Sequence, residues 1–287
     1  MVAVTFLIMG LTNPQIGTKL ESVKREGVDI MIALDVSTSM LAEDLKPNRL
    51  ERAKQFVSKL IDNMKSDRVG LIVFAGGAYL QMPLTVDYPA AKMFLGNINT
   101  DMMPTQGTAI GEAVNLAMKS FESGETKNKS LIIITDGEHH DEDAFDVAAT
   151  AAAAGIIIHT VGIGTHKGAP IPIYRRGRQA DYKKDKKGSI VLSKLNEAAL
   201  KKLAVSSNGQ YYFMTGGKEE IVEIMKQIAS MEKKEFEERV FTDYDDKFQY
   251  FLGLALLFII LEFFISERKN KWLSSLNLFQ DDKMHRA

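Results

Sequence analysis

Five oxygen-bearing side chains, far apart in the chain, fall at positions where they could meet around one cation. The run Ile32-Ala33-Leu34-Asp35-Val36-Ser37-Thr38-Ser39-Met40 begins as an apolar strand and ends in a carboxylate followed by two hydroxyls. Ligands of open α/β sheets bind beyond the carboxyl ends of the strands, which is where Asp35, Ser37 and Ser39 lie. Gly107-Thr108-Ala109-Ile110-Gly111 sets a third hydroxyl, Thr108, at the start of a helix. Ile132-Ile133-Ile134-Thr135-Asp136-Gly137 sets a second carboxylate, Asp136, at another strand's carboxyl end. All five are hard donors, suited to Mg2+, or to Mn2+ or Ca2+, and not to a closed Zn2+ site.

Each element also has a purely local reading. Ser37 and Ser39 could cap and bend a turn before a helix at Arg49, and Thr108 could be an ordinary helix cap with Glu112 nearby. The coincidence of all five at strand ends or helix starts favours the cation. His139, His140, Asp141, Glu142 and Asp143 also resemble metal ligands, but adjacent loop histidines seldom reach one ion without further ligands. Asp143 serves there as a helix cap, and no second metal site is expected. Thr105 and Asp101 precede Thr108 and could support the site indirectly.

The elements that must position these residues follow from periodicity. Continuous apolar runs predict buried strands over 28–34, 69–74, 131–135 and 156–163, with a further strand at 210–214. Helical spacing of Leu50, Ala53, Phe56, Val57, Leu60, Ile61 and Met64 predicts a helix over 49–64. Further helices are expected over 88–98, 109–121, 143–154, 197–204 and 218–231. The segment with Gly76, Gly77 and Pro83 reads as a loop. Strands separated by helices, with no hairpin signal, predict a mostly parallel sheet covered by helices on both faces. Residues 164–193 shift to Gly, Pro, Lys and Arg, including Arg175, Arg176, Arg178, Lys183, Lys184, Lys186 and Lys187. They read as an exposed insertion in the form of a hairpin lobe.

Composition bounds the rest. The chain has 287 residues, of which 25% are charged and 45% hydrophobic, with a formal net charge of -1. That is the balance of a folded protein with no global field to recruit nucleic acid. Cysteine is absent, so disulfides, thiolate metal sites and cysteine nucleophiles are excluded. The stretch from Tyr250 to Ile265 is apolar except for Glu262, and a transmembrane helix is expected over 248–267. The short apolar run Val2 to Leu11 reads as the remnant of a membrane helix whose beginning lies outside this chain. The expected organisation is therefore a membrane-helix remnant at 1–13, a connector at 14–26 and the α/β domain at 27–231. A charged linker at 232–247, the membrane helix at 248–267 and a short tail at 268–287 follow. Arg268, Lys269 and Lys271 behind that helix place the tail in the cytoplasm and the domain outside it.

The order Asp-x-Ser-x-Ser, Thr, Asp over residues 35–136 matches the metal-ion-dependent adhesion site (MIDAS) of von Willebrand factor A-type domains. Over nearly its whole length the chain also resembles the bacterial Bat aerotolerance proteins. That likeness rests on Glu26-Gly27-Val28-Asp29-Ile30, on Gly107-Thr108-Ala109-Ile110-Gly111-Glu112-Ala113 and on Ile163-Gly164. It extends to Pro170-Ile171-Pro172, Gly188, Leu195-Asn196-Glu197 and the apolar C-terminal segment. It implies a Rossmann-like von Willebrand factor A domain and a metal site in which Ser37, Ser39 and Thr108 contact the ion directly or through water. Asp35 and Asp136 would bind mostly through water. Such an ion stays electrophilic, and a partner's Asp or Glu completes its octahedron. The resemblance further implies an inner-membrane protein whose A domain faces the periplasm, within a stress-tolerance complex of other Bat-type membrane proteins. In many A domains metal ligation is coupled to the last helix, so partner binding is expected to shift 218–231.

Two other classes compete. An aspartyl-phosphate hydrolase of the haloacid dehalogenase type needs a second Asp two residues after Asp35, where this chain has Ser37. Gly162-Ile163-Gly164-Thr165-His166-Lys167-Gly168 lacks the spacing of a nucleotide-binding loop. A structural scaffold with a vestigial site is the remaining alternative.

Overall fold

The computed structural model describes residues 2–12, 15–121, 129–138, 143–175, 178–215, 219–231, 234–246 and 248–264. The chain divides into two compact units, Lys24–Glu237 and the pair Met1–Val23 with Glu238–Ala287.

The larger unit is an α/β domain. The strands of the two units together, in chain order, are β1 (Gln15–Gly27), β2 (Asp29–Asp35), β3 (Arg68–Phe74), β4 (Ala78–Thr85), β5 (Lys129–Thr135) and β6 (Ile156–Gly162). There follow β7 (Ala169–Pro170), β8 (Pro172–Arg175), β9 (Arg178–Tyr182), β10 (Leu192–Ser193), β11 (Tyr211–Phe213) and β12 (Lys234–Asp246). Six of them form one sheet in the order β11-β6-β5-β2-β3-β4. Every pairing is parallel except β3 with β4. The helices, after α1 (Val2–Leu11), are α2 (Arg49–Asp62), α3 (Tyr88–Gly96), α4 (Ile110–Ser120), α5 (Asp143–Ala153), α6 (Glu197–Val205), α7 (Glu219–Ser230) and α8 (Phe248–Phe264).

Two apolar cores lie on opposite sides of the sheet. One joins Ile30, Ile32 and Leu34 to Phe56 and Leu60 of α2 and Ile224 of α7. The other joins Met31, Ala33 and Ile133 to Val114 of α4, Ala148 of α5 and Leu203 of α6. Alternate residues of the central strand thus serve opposite faces, as the period of a strand demands. Asn48 caps α2 by accepting from Glu51 N at 2.8 Å.

Residues 78–85, expected to be loop, form the antiparallel edge strand β4. Gly76 and Gly77 turn the chain, and Ala75 N donates to Gly77 O at 2.9 Å. Pro83 is tolerated because an edge strand can forgo ladder bonds, and the register with β3 is irregular there. The insertion contains the antiparallel hairpin β8–β9, and its base is held by the antiparallel pair β7–β10. Ala169, Ile171 and Ser193 at that base are buried, so the insertion is exposed at its lobe and packed at its root. The connector and the charged linker are strands as well, β1 and β12, paired in a two-stranded ribbon.

In the smaller unit α1 packs on α8. Phe6 stacks on Phe258 with ring centroids 5.6 Å apart, and the small residues Ala3, Gly10 and Ala255 are buried. Most of the remaining apolar side chains, among them Leu7, Leu256 and Ile259, are exposed. The C-terminal apolar segment is helical for 17 residues, about 25 Å at 1.5 Å per residue. The expected transmembrane helix at 248–267 is therefore shorter over its described part, and 265–267 lie outside the described residues. No helix among the described residues is long and apolar enough to cross a membrane.

Candidate functional site

Three neighbouring strand ends carry the candidate residues. The parallel register sets Leu34 beside Ile134, so the carboxyl ends of β2 and β5 arrive together. Thr135 Oγ1 donates to Asp35 Oδ2 at 2.6 Å, and Ser37 N donates to Asp35 Oδ1 at 2.8 Å. Asp35 and Asp136 are both fully buried. Burial first, and the nearby negative charge of Asp136 second, push the Asp35 carboxyl up to about 7, against the bonds from Thr135 and Ser37.

Ser37 and Ser39 bracket the start of a short 3-10 helix, Thr38–Leu41, and their carbonyls bend that turn, accepting from Met40 N and Ala42 N, both at 3.0 Å. Ser37 occupies the cap position without making a side-chain capping bond. Its Oγ instead lies 2.8 Å from Ser39 Oγ, and both residues are buried.

The third strand end brings Thr108. Ala109 N donates to Ala75 O at 2.6 Å and Gly76 N to Thr105 O at 3.1 Å, which fastens the 105–109 loop to the end of β3. Gly107 has φ +150°, and a Cβ there would stand 3.2 Å from Gly76 Cα, so the close approach requires glycine. Helix α4 starts at Ile110 with Ala109 at the cap and no side-chain capping bond. Thr108, buried one residue earlier, is therefore not the helix cap. Gln106 completes the fastening, its Oε1 accepting from Thr38 N at 2.9 Å.

Of the supporting residues that the sequence suggested, Thr105 acts through its backbone, its carbonyl holding the Thr108 loop to Gly76. Thr105 and Asp101 are exposed, and Asp101 N donates to Asn99 Oδ1 at 3.0 Å. His139, His140, Asp141 and Glu142 lie outside the described residues. Asp143 falls in the first turn of α5 and not before it.

The largest group missed by sequence reasoning is Arg49. Its guanidinium is fully buried and every nitrogen has a partner. Nη1 donates to Asp136 Oδ2 at 2.8 Å and to Ser193 Oγ at 2.5 Å. Nε and Nη2 donate to the two oxygens of Asp44 at 2.9 and 2.8 Å, and Nη2 also reaches Ser193 O at 3.0 Å. Asp44 Oδ2 further accepts from Thr165 N and Oγ1 at 2.8 and 3.0 Å. Burial works to raise the Asp44 carboxyl, but the bond to Arg49, its charge and the Thr165 donors outweigh it and lower the net value. The available sequence signal was position: Arg49 stands four residues before Ala53, on the buried stripe of α2, where a charge needs a buried partner. Lys183 Nζ of the insertion donates to Thr38 Oγ1 at 2.8 Å, and Tyr174 of the same lobe bonds Glu43. The insertion thus flanks the crevice.

The donor set fits a small divalent cation. Two buried carboxylates at adjacent strand ends repel one another, and a positive ion between them would relieve that repulsion. Among the described residues no cluster of three or more His, Asp or Glu could hold a metal, so such a site must draw on hydroxyls as ligands.

The sequence profile of the von Willebrand factor type A domain matches residues 29–227, and the chain belongs to that family. Within it, the chain is similar to Bat-type proteins. A conserved hypothetical protein BatB from Bacteroides thetaiotaomicron is 43% identical with a TM-score of 0.67, over 71% of this chain and 98% of that one. An aerotolerance-related membrane protein from Bacteroides fragilis NCTC 9343 is 44% identical with a TM-score of 0.68, over 71% of this chain and 100% of that one. A protein of Borreliella burgdorferi described as uncharacterized is 25% identical over 271 residues, 92% of this chain and 76% of that protein. The chain spans 64% and 48% of two further curated relatives.

Proposed function

We propose that this protein is a membrane-anchored, metal-dependent interaction module. In this reading Asp35, Ser37, Ser39, Thr108 and Asp136 hold Mg2+, or Mn2+ or Ca2+, directly or through water. The ion then takes an Asp or Glu of a protein partner as its last ligand. The observation that carries the reading is the buried carboxylate pair at adjacent strand ends, next to serine and threonine hydroxyls that are not used as helix caps. Such a site binds without turning over: Ser37 stands where an aspartyl-phosphate hydrolase would need a second carboxylate. Von Willebrand factor A domains are in general interaction modules and not enzymes.

Anchoring is supported by α1 and α8, whose apolar side chains are exposed around the pair, and by the similar Bacteroides fragilis protein described as a membrane protein. The basic residues after position 267 favour a periplasm-facing domain on the bacterial inner membrane. Other Bat-type membrane proteins are the partners in view, within a cell-envelope complex for stress tolerance.

One observation favours a second reading. Arg49 already neutralises Asp136, as it would in a scaffold whose site had lost its ion. A pull-down of the full chain in detergent separates the two readings. A partner retained with Mg2+ and released by EDTA supports the metal-dependent module, whereas a partner held equally through EDTA supports the scaffold.

A further inference from the structure

Arg49 and Ser193 do more than stabilise the crevice. Asp136 Oδ2 accepts from both Arg49 Nη1 and Ser193 Oγ, at 2.8 and 3.0 Å, so both of its lone pairs are used. Among the described residues Asp136 Oδ1 accepts from Glu138 N alone, at 3.2 Å, and keeps one lone pair for a ligand. The carboxylate can thus present one oxygen toward the crevice and not two.

This presentation is rigidly held. Arg49 is fully enclosed, and its other nitrogens are fixed by Asp44 and by Ser193 O. Gly164, at φ +117°, passes so close that a Cβ there would stand 2.7 Å from Arg49 Cζ. A side chain at 164 would displace the guanidinium, so the first residue of the insertion is shaped to hold it. Ser193 closes the same insertion at its other end. The two ends of the lobe therefore clamp the group that clamps Asp136.

Ion choice follows from oxygen count. Ca2+ takes six to eight oxygens and commonly draws two from one carboxylate, whereas Mg2+ and Mn2+ are content with octahedral, one-oxygen contacts. We propose that Asp136 meets the ion directly through Oδ1, where the resemblance implied an intervening water, and that Arg49 and Ser193 are specificity-determining positioning residues, which by blocking two-oxygen chelation through Asp136 tune the site toward small octahedral ions and against Ca2+. This inference rests on the metal-site reading above.

The test is calorimetric titration of the full chain in detergent with Mn2+ and, separately, Ca2+. Wild type should prefer Mn2+. Ser193→Ala, which frees one lone pair of Oδ2 and leaves the charges in place, should shift the Ca2+ to Mn2+ affinity ratio toward Ca2+. The expected change is on the order of tenfold, the scale on which partners of metal ligands act. Arg49→Lys should shift it in the same direction, because one ammonium cannot serve Asp44, Asp136 and Ser193 together. Ser193→Thr, which keeps the hydroxyl, should retain the wild-type ratio. Should Arg49→Lys fail to fold, Ser193→Ala alone decides. Measurable binding with an unchanged ratio in Ser193→Ala overturns the role given to these residues while leaving the metal site intact. A wild type that binds neither ion overturns the metal site and this inference with it.

Discussion

Strand β2 carries an aspartate at each end, and the two live in opposite circumstances. Asp29 opens the strand opposite Arg68 of β3, which grips both of its oxygens through Nε and Nη2 at 2.6 and 2.7 Å. Asp35 closes the strand six positions later with a hydroxyl and a backbone amide as partners, and with a second carboxylate as its neighbour. Both are buried. Asp29 has its charge matched by a cation of the fold, whereas Asp35 accepts from neutral donors. In the proposed reading, stability and function are separated along the strand, with the binding end at the carboxyl side as in other open α/β sheets.

That separation can be broken from either end. Arg68→Met strands Asp29 without a cation, and removing one partner of a buried pair costs about 3–5 kcal/mol, the upper part of which is discounted for the partial exposure of Arg68. Urea unfolding should show this loss, while calorimetry should show unchanged Mn2+ affinity among molecules that fold. Reduced affinity with unchanged stability would reverse the roles given to the two ends. Asp35→Asn is the mirror experiment. It should weaken Mn2+ binding by on the order of 100-fold while metal-free stability changes by less than about 1 kcal/mol, since an amide avoids the cost of a buried negative charge. An Asp35→Asn variant that unfolds readily without metal would mean that the carboxylate is structural after all. The smallest effect is expected for Gln106→Ala, which removes the bond from Thr38 N and loosens the Thr108 loop from the serine loop. The cost should be about 0.5–1.5 kcal/mol in urea unfolding, with a modest loss of Mn2+ affinity. No change in affinity would show that the two loops position themselves independently.

What could be read from the sequence was what depends on local pattern. The buried strands announce themselves as apolar runs such as Ile132-Ile133-Ile134, and α2 by its spaced Leu50, Ala53, Phe56 and Val57. Asp35, Ser37, Ser39, Thr108 and Asp136 stood out as candidates because each sits at the end of such an element. Less was visible where two signals conflicted or a partner lay far away. Gly76, Gly77 and Pro83 masked β4, since breakers and an edge strand look alike until pairing is known. Arg49 finds Ser193 144 residues further on, and no local rule reports such a meeting. The ribbon strands hid behind their charges: Ile16, Thr18 and Leu20 are spaced two apart, and Phe236, Val240 and Tyr244 share one face, but Lys, Arg, Glu and Asp are scattered through the first stretch and dominate the second.

The rims of the main sheet have a consequence for assembly. One rim is a strand of three residues, Tyr211–Phe213, and the other carries a proline and an irregular register. Neither offers a foreign strand a long, even row of backbone donors and acceptors, so both are poor templates for continued stacking. Copies of this molecule crowded together are thereby discouraged from polymerising through the main sheet.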